Sequence, residues 1–131
     1  MDKLQAYNTF WKSFGIPAYD GLSVPEKVYD EASQKMIPLE PPYITYNAVY
    51  DSFGASLPTT VSLWYRETGW TDVSHKAEEI ANAITRGGKM VGYDGGAFWI
   101  RRGSPWAQRM TDPNDDSIRR ILLNLEIEFM D

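Results

Sequence analysis

The stretch from Pro58 to Ile84 constrains the fold most, because its apolar period changes within a single turn. Val61, Leu63 and Tyr65 alternate with Ser62, Trp64 and Arg66, the period of a pleated strand with two different faces. Beyond Thr68-Gly69 the apolar residues Val73, Ala77, Ile80, Ala81 and Ile84 take helical spacing. Asp72 or Ser74 is the expected cap, since a short oxygen-bearing side chain accepts a first-turn N–H, and Gly87-Gly88 is the expected stop. Half of the helical stripe is small, so the helix must lie close on a flat partner. Strands on either side of it can supply a sheet, which makes the unit a sheet with one helix laid on a face.

The rest of the chain fits around this unit. Asp2 to Phe14 reads as a helix with an apolar stripe of Leu4, Tyr7, Phe10, Trp11 and Phe14, capping-box spacing at Asp2 and Gln5, and an end at Gly15 and Pro17. Residues 16–42 hold Pro17, Pro25, Pro38, Pro41 and Pro42, which excludes helix over most of the segment. Ile16 to Tyr19 and Lys35 to Ile37 can be short extended pieces at a sheet edge, and the whole segment reads as an arm on the surface or on a neighbouring molecule. Tyr43 to Tyr50 is strand-like, Asp51 to Pro58 a loop, and Thr59 to Glu67 the next strand. Lys89 to Tyr93 and Ala97 to Arg102 flank Asp94-Gly95-Gly96, a hairpin signal whose glycines suit a primed turn. Gly103-Ser104-Pro105 is expected to break the strand, and Asp112 to Asp115 to turn. From Arg120 to Met130, Ile121, Leu123, Leu125, Ile127 and Phe129 alternate with Asn124, Glu126 and Glu128, one long half-buried strand.

The expectation is therefore a single α+β domain over residues 1–131. It has an N-terminal helix and a mixed or antiparallel sheet of about four to five strands, with one central helix packed on a face. The order is α-β-β-α-β-β-β. No apolar run approaches the roughly 18 residues of a membrane helix, and the start of the chain has no signal-peptide pattern. The chain has no cysteine, so disulfides, thiol catalysis and zinc–thiolate sites are ruled out; this fits synthesis in a reducing compartment.

Candidates for chemistry are few. His75 is the only histidine and falls on the polar side of the central helix, in no nucleophile motif. Glu126 and Glu128 share a strand face, a solvated face or else a carboxylate pair. Asp112-x-Asn114-x-Asp116 imitates a calcium loop, but Ser117 stands where glycine is needed and Leu123 where the bidentate glutamate is needed. The glycine pairs lack a phosphate-loop context. No catalytic residue, cofactor or metal is expected. Net charge is −5, against a general nucleic-acid surface, but residues 86–110 carry +4 between segments of −5 and −4. That stretch is either part of a mixed surface or one half of a complementary subunit interface.

The order of parts resembles the tail terminator (tail-completion) proteins of long-tailed bacteriophages. The residues that carry the resemblance are the N-terminal helix and the Pro-rich lead-in ending in Pro41-Pro42-Tyr43-Ile44-Thr45-Tyr46. To these add the strand-to-helix run through Ala77-Glu78-Glu79-Ile80-Ala81, the Asp94-Gly95-Gly96 hairpin and the long last strand. The resemblance implies a structural protein, not an enzyme, forming a homohexameric ring that caps the tail tube and docks to the head connector. Its implied partners are its own copies, the tail tube protein and the head connector or completion protein. It implies no membrane contact and no sequence-specific nucleic acid, with DNA only passing through the ring. Its implied place is the head-proximal end of the virion tail, after assembly in the host bacterial cytoplasm. Within that reading, Arg101, Arg102, Arg109, Asp94, Gly95, Gly96 and Trp106 are the candidate interface residues. Another head–tail connector or neck protein, or a small module binding carbohydrate or another small ligand and built on exposed tryptophans, is the alternative.

Overall fold

The computed structural model describes residues 1–49 and 55–131. Its elements in chain order are α1 (Lys3–Lys12), β1 (Ala18–Asp20), β2 (Lys27–Asp30), β3 (Lys35–Pro38), β4 (Tyr43–Tyr46), β5 (Ser56–Arg66), α2 (Thr71–Ile84), β6 (Lys89–Tyr93), β7 (Gly96–Thr111) and β8 (Ile118–Met130). Among the described residues the strands form a six-stranded sheet in the order β1-β4-β5-β8-β7-β6 and a separate β2-β3 hairpin. Only β1 and β4 pair in parallel. The fold is α+β, with more strands than the sequence pattern announces.

The additional strands come from the Pro-rich segment. β1 lies at the sheet edge as expected for Ile16 to Tyr19, but Lys35 to Ile37 pairs with β2 instead of the main sheet. Asp30 makes that hairpin: its carboxylate accepts from the N–H groups of Ala32 and Ser33, and Gln34 takes a left-handed φ of 56°. β4 ends at Tyr46, short of the strand expected to run to Tyr50, and residues 47–49 belong to no strand; Tyr50 and loop residues Asp51 to Gly54 lie outside the described residues, whereas Ser56 to Pro58, expected in the loop, belong to β5. Gly103-Ser104-Pro105 does not end β7 either. The strand runs through with a bulge, five residue steps from Arg102 to Ala107 matching two from Leu125 to Leu123. Gly103 is needed there because a Cβ would come within 2.9 Å of the Asn124 backbone.

Both helices pack on one face. The capping box of Asp2 and Gln5 forms as the spacing predicts, and Tyr7, Phe10 and Trp11 are buried, but Leu4 is exposed. The α2 stripe of Val73, Ala77, Ile80, Ala81 and Ile84 is buried throughout. Its cap differs from expectation. Neither Asp72 nor Ser74 caps it; the Glu67 carboxylate, before the helix, accepts from the N–H groups of Asp72 (3.1 Å) and Val73 (2.9 Å). A longer side chain reaches back across the Thr68-Gly69 turn to the same orphan donors, and its charge faces the positive helix end. The helix also stops earlier, at Thr85, which takes φ 67° before Gly87-Gly88.

The sheet residues under the helices share one register face: Ile44, Leu63 and Ile121 in one row, Tyr46, Val61 and Leu123 in the next, then Ile100 with Ile127 and Phe98 with Phe129. The Tyr7 ring lies 5.4 Å from that of Tyr46 on β4 and 5.7 Å from that of Phe98 on β7. In a flat sheet those strands, three ladder steps apart, would be about 14 Å apart. One ring touching both means that the sheet curls around α1.

Two variants test this packing. Ile80→Ala, at a fully buried position, should cost about 3 kcal/mol, and Glu67→Ala about 1 kcal/mol by removing the cap, both read from urea midpoints. Equal small costs would show that α2 is held by something other than its apolar stripe.

Candidate assembly interface

The candidate interface residues fall in three separate places. Asp94, Gly95 and Gly96 form a corner where the start of α1, the β6–β7 turn and the end of β8 meet. The Asp94 N–H donates to the Met1 carbonyl (2.8 Å), its carboxylate accepts from the Met1 ammonium (2.7 Å), and Lys3 pairs with Asp131 (2.8 Å). Only Gly95 takes a positive φ, 89°, so the turn is not of the primed type that needs two such residues. Gly96 is required by closeness instead: a Cβ there would lie 2.5 Å from the Met130 carbonyl oxygen. This corner is held from within the chain.

Arg101 lies on the helix-free face. Its guanidinium sits 4.3 Å from the Trp99 ring, donates to Ser56 Oγ (2.9 Å) and approaches Glu126 at 3.5 Å. Arg102 and Arg109 are exposed along β7, Arg109 with its guanidinium 5.0 Å from the Trp70 ring. Trp106 is half-buried against the core between them, with a buried Nε1 that has no partner among the described residues. The structure thus brings Arg102, Trp106 and Arg109 together along one strand and separates them from the hairpin corner.

The sequence reading passes over the helix-free face as a surface. Met110, Arg120, Trp64 and Tyr43 stand opposite one another on β7, β8, β5 and β4, with Tyr19 beside them. Tyr43 stacks beside Trp64 (24° between planes), and the Arg120 guanidinium lies 4.7 Å from the Trp64 ring. Trp64 Nε1 donates to Thr45 Oγ1 (2.8 Å), and Arg120 Nε to Ser62 Oγ (3.0 Å). The alternation of Ser62, Trp64 and Arg66 was the signal for it. Because Trp64 is flanked by Tyr43 and Arg120, it offers no open ring for a sugar to stack on. A polar hollow of ≈ 450 Å³ on this side has its amides occupied, Asn47 on Thr60 (3.0 Å) and Asn124 on the Pro105 carbonyl (2.8 Å).

His75 is exposed in a shallow depression beside Trp70 and Arg109, and Glu126 faces Arg101, so neither joins a group of converging side chains. The base of the Pro-rich segment is tied more firmly. Arg66 at the end of β5 donates to Asp115 (2.9 Å), Ser117 and Glu40 (3.2 Å), linking the β7–β8 turn to the residues before β4. The Ser117 and Arg66 hydrogen bonds hold the Asp115 carboxyl down to about 2.

No protein-family profile, curated protein or solved structure matches the chain.

A depressed carboxyl stabilises the fold fully above its unfolded value of 3.8 and loses that contribution as pH falls to about 2. The melting temperature of the parent should therefore drop more steeply across this window than that of Asp115→Asn. Parallel acid titrations of the two would show that the tie is unimportant.

Proposed function

We propose that the chain is a structural assembly protein of a phage or phage-tail-like particle, a ring-forming tail terminator that caps the tail tube and docks to the head connector. The observation that supports this reading is the unlike character of the two sides of its sheet. A projecting hairpin emerges next to β1 and β4, and the opposite side, at β6 and β7, is a partly open strand edge with exposed arginines. Repeated head-to-tail association needs two different patches per subunit, and a closed ring results when the rotation between copies closes.

The mechanism is geometric. A tube grows by adding subunits to a free end; a ring seated there covers that end, stops growth and presents a new face. The head connector, with different chemistry, docks on that face. The function needs no proton transfer or cofactor; the curled sheet acts as a rigid body carrying its two contact sides.

Electron microscopy of native particles labelled with an antibody to this protein tests the reading, together with deletion of its gene. The expected result is label at the head-proximal end of the tail, and overlong, headless tails in the deletion. Label at the distal tip, or normal headed tails without the protein, would overturn it.

A further inference from the structure

We infer that the β2–β3 arm of one copy adds to the open edge of β7 on the next copy, with its apolar side chains in the groove beside α2. This deepens the head-to-tail reading above by naming both halves of the contact.

The arm leaves apolar surface uncovered. Two-stranded hairpins are at best marginal alone, and neither β2 nor β3 packs extensively on any other element. Four of the seven large apolar side chains exposed among the described residues lie on or beside it: Leu22 (97%), Tyr29 (59%), Met36 (58%) and Ile37 (37%). Tyr29 and Met36 are cross-strand partners, so they form one apolar spot on one face of the hairpin. Every residue of β3 is exposed, and its far edge has no strand beside it among the described residues.

The receptor is the matching deficiency. The ladder from β6 ends opposite Ile100, so Arg101, Arg102 and, beyond the bulge, Ala107 to Thr111 are paired through β8 alone among the described residues. Such a length of open strand is a template for another strand. Between it and α2 runs a groove of ≈ 200 Å³ lined by Ala77, Glu78, Trp106, Ala107 and Ile121, room for one side chain the size of Tyr29 or Met36. The partnerless Trp106 Nε1 lies in this lining. Arg102 and Arg109 on the same strand are exposed and in no ion pair among the described residues. The arm offers the opposite sign, with Asp30 and Glu31 at its tip and a net −2 over residues 20–39.

A second copy is the occupant because the two halves belong to opposite edges of one sheet, with α1 packed between those edges. The arm leaves next to β1 and β4, the open edge lies on the β6 side, and α1 packs between β1 and β6. The contact is therefore heterologous and repeats from copy to copy.

The chain has no cysteine, which makes the test clean. Met36→Cys and Ala107→Cys, both at exposed positions, are mixed in the purified full chain and oxidised. The expected result is a disulfide dimer from the mixture, little from either variant alone, and a ladder of covalent oligomers from the double variant. Arg109→Glu should lower the cross-linking yield roughly tenfold, and Glu31→Lys on the arm, which leaves the Asp30 turn intact, should restore it. An oligomeric parent with no Met36–Ala107 cross-link would overturn the arm contact and leave the ring reading standing. A parent that stays monomeric at every concentration, with no cross-link, would also overturn the contact, and particle labelling then judges the ring reading separately. Efficient Met36–Met36 cross-linking would overturn it in favour of an isologous pair.

Discussion

Tyr7, Phe10 and Trp11 on one helix of ten residues are buried together, and the sheet bends to bury them. Trp11 is wholly enclosed, and Tyr7 and Phe10 meet Phe98 edge to face. Large rings contribute most per residue to apolar burial and favour such edge contacts. The curl has a second support in α2, whose alanines at 77 and 81 let its backbone lie close on β5, β7 and β8. With both helices inside the curve, one face of the sheet is filled. Burial also pushes the Tyr7 phenol up.

The same packing decides what is left outside. The helix-free face is closed off by its own side chains, aromatic rings beside arginines and hydroxyls bonded to indole and guanidinium groups. The edges are not closed off in this way. β6 is short and shields only the first part of β7, and β1 is three residues long at the other edge. The bulge at Gly103 lets β7 continue past its partner while keeping contact with β8, which creates the open length of strand. Arg66 holds the base of the Pro-rich segment to the β7–β8 turn, so the arm projects from a fixed point.

Periodicity made much of this legible. The alternation at Val61 and Leu63, the helical spacing from Val73 to Ile84 and the alternation from Ile121 to Phe129 each specify one face, and those faces are buried; the capping box at Asp2 also forms as spaced. What stayed hidden depended on contacts distant in sequence. The Glu67 cap requires a side chain to fold back over a turn, and Gly96 is needed only because Met130 arrives beside it. Gly103-Ser104-Pro105 carries the local signature of a break, yet pairing with β8 on both sides holds the strand together. The hairpin at residues 27–38 has weak strand composition and is made by the Asp30 turn. Among the candidate interface residues, Arg102, Trp106 and Arg109 proved to share an open strand, while Arg101 and Asp94 are engaged within the chain. Charge counts by segment cannot tell those two situations apart.

In the proposed assembly the two open strand edges, not the broad helix-free face, make the contact between copies. Amide hydrogen exchange compared between the free chain and its assembled form measures this directly. On assembly the amides of Lys35, Met36 and Ile37 and of residues 107–111 of β7 should slow together, while those around Tyr43 and Trp64 keep their rates. Slowing around Tyr43 and Trp64 with both edges unchanged would contradict it.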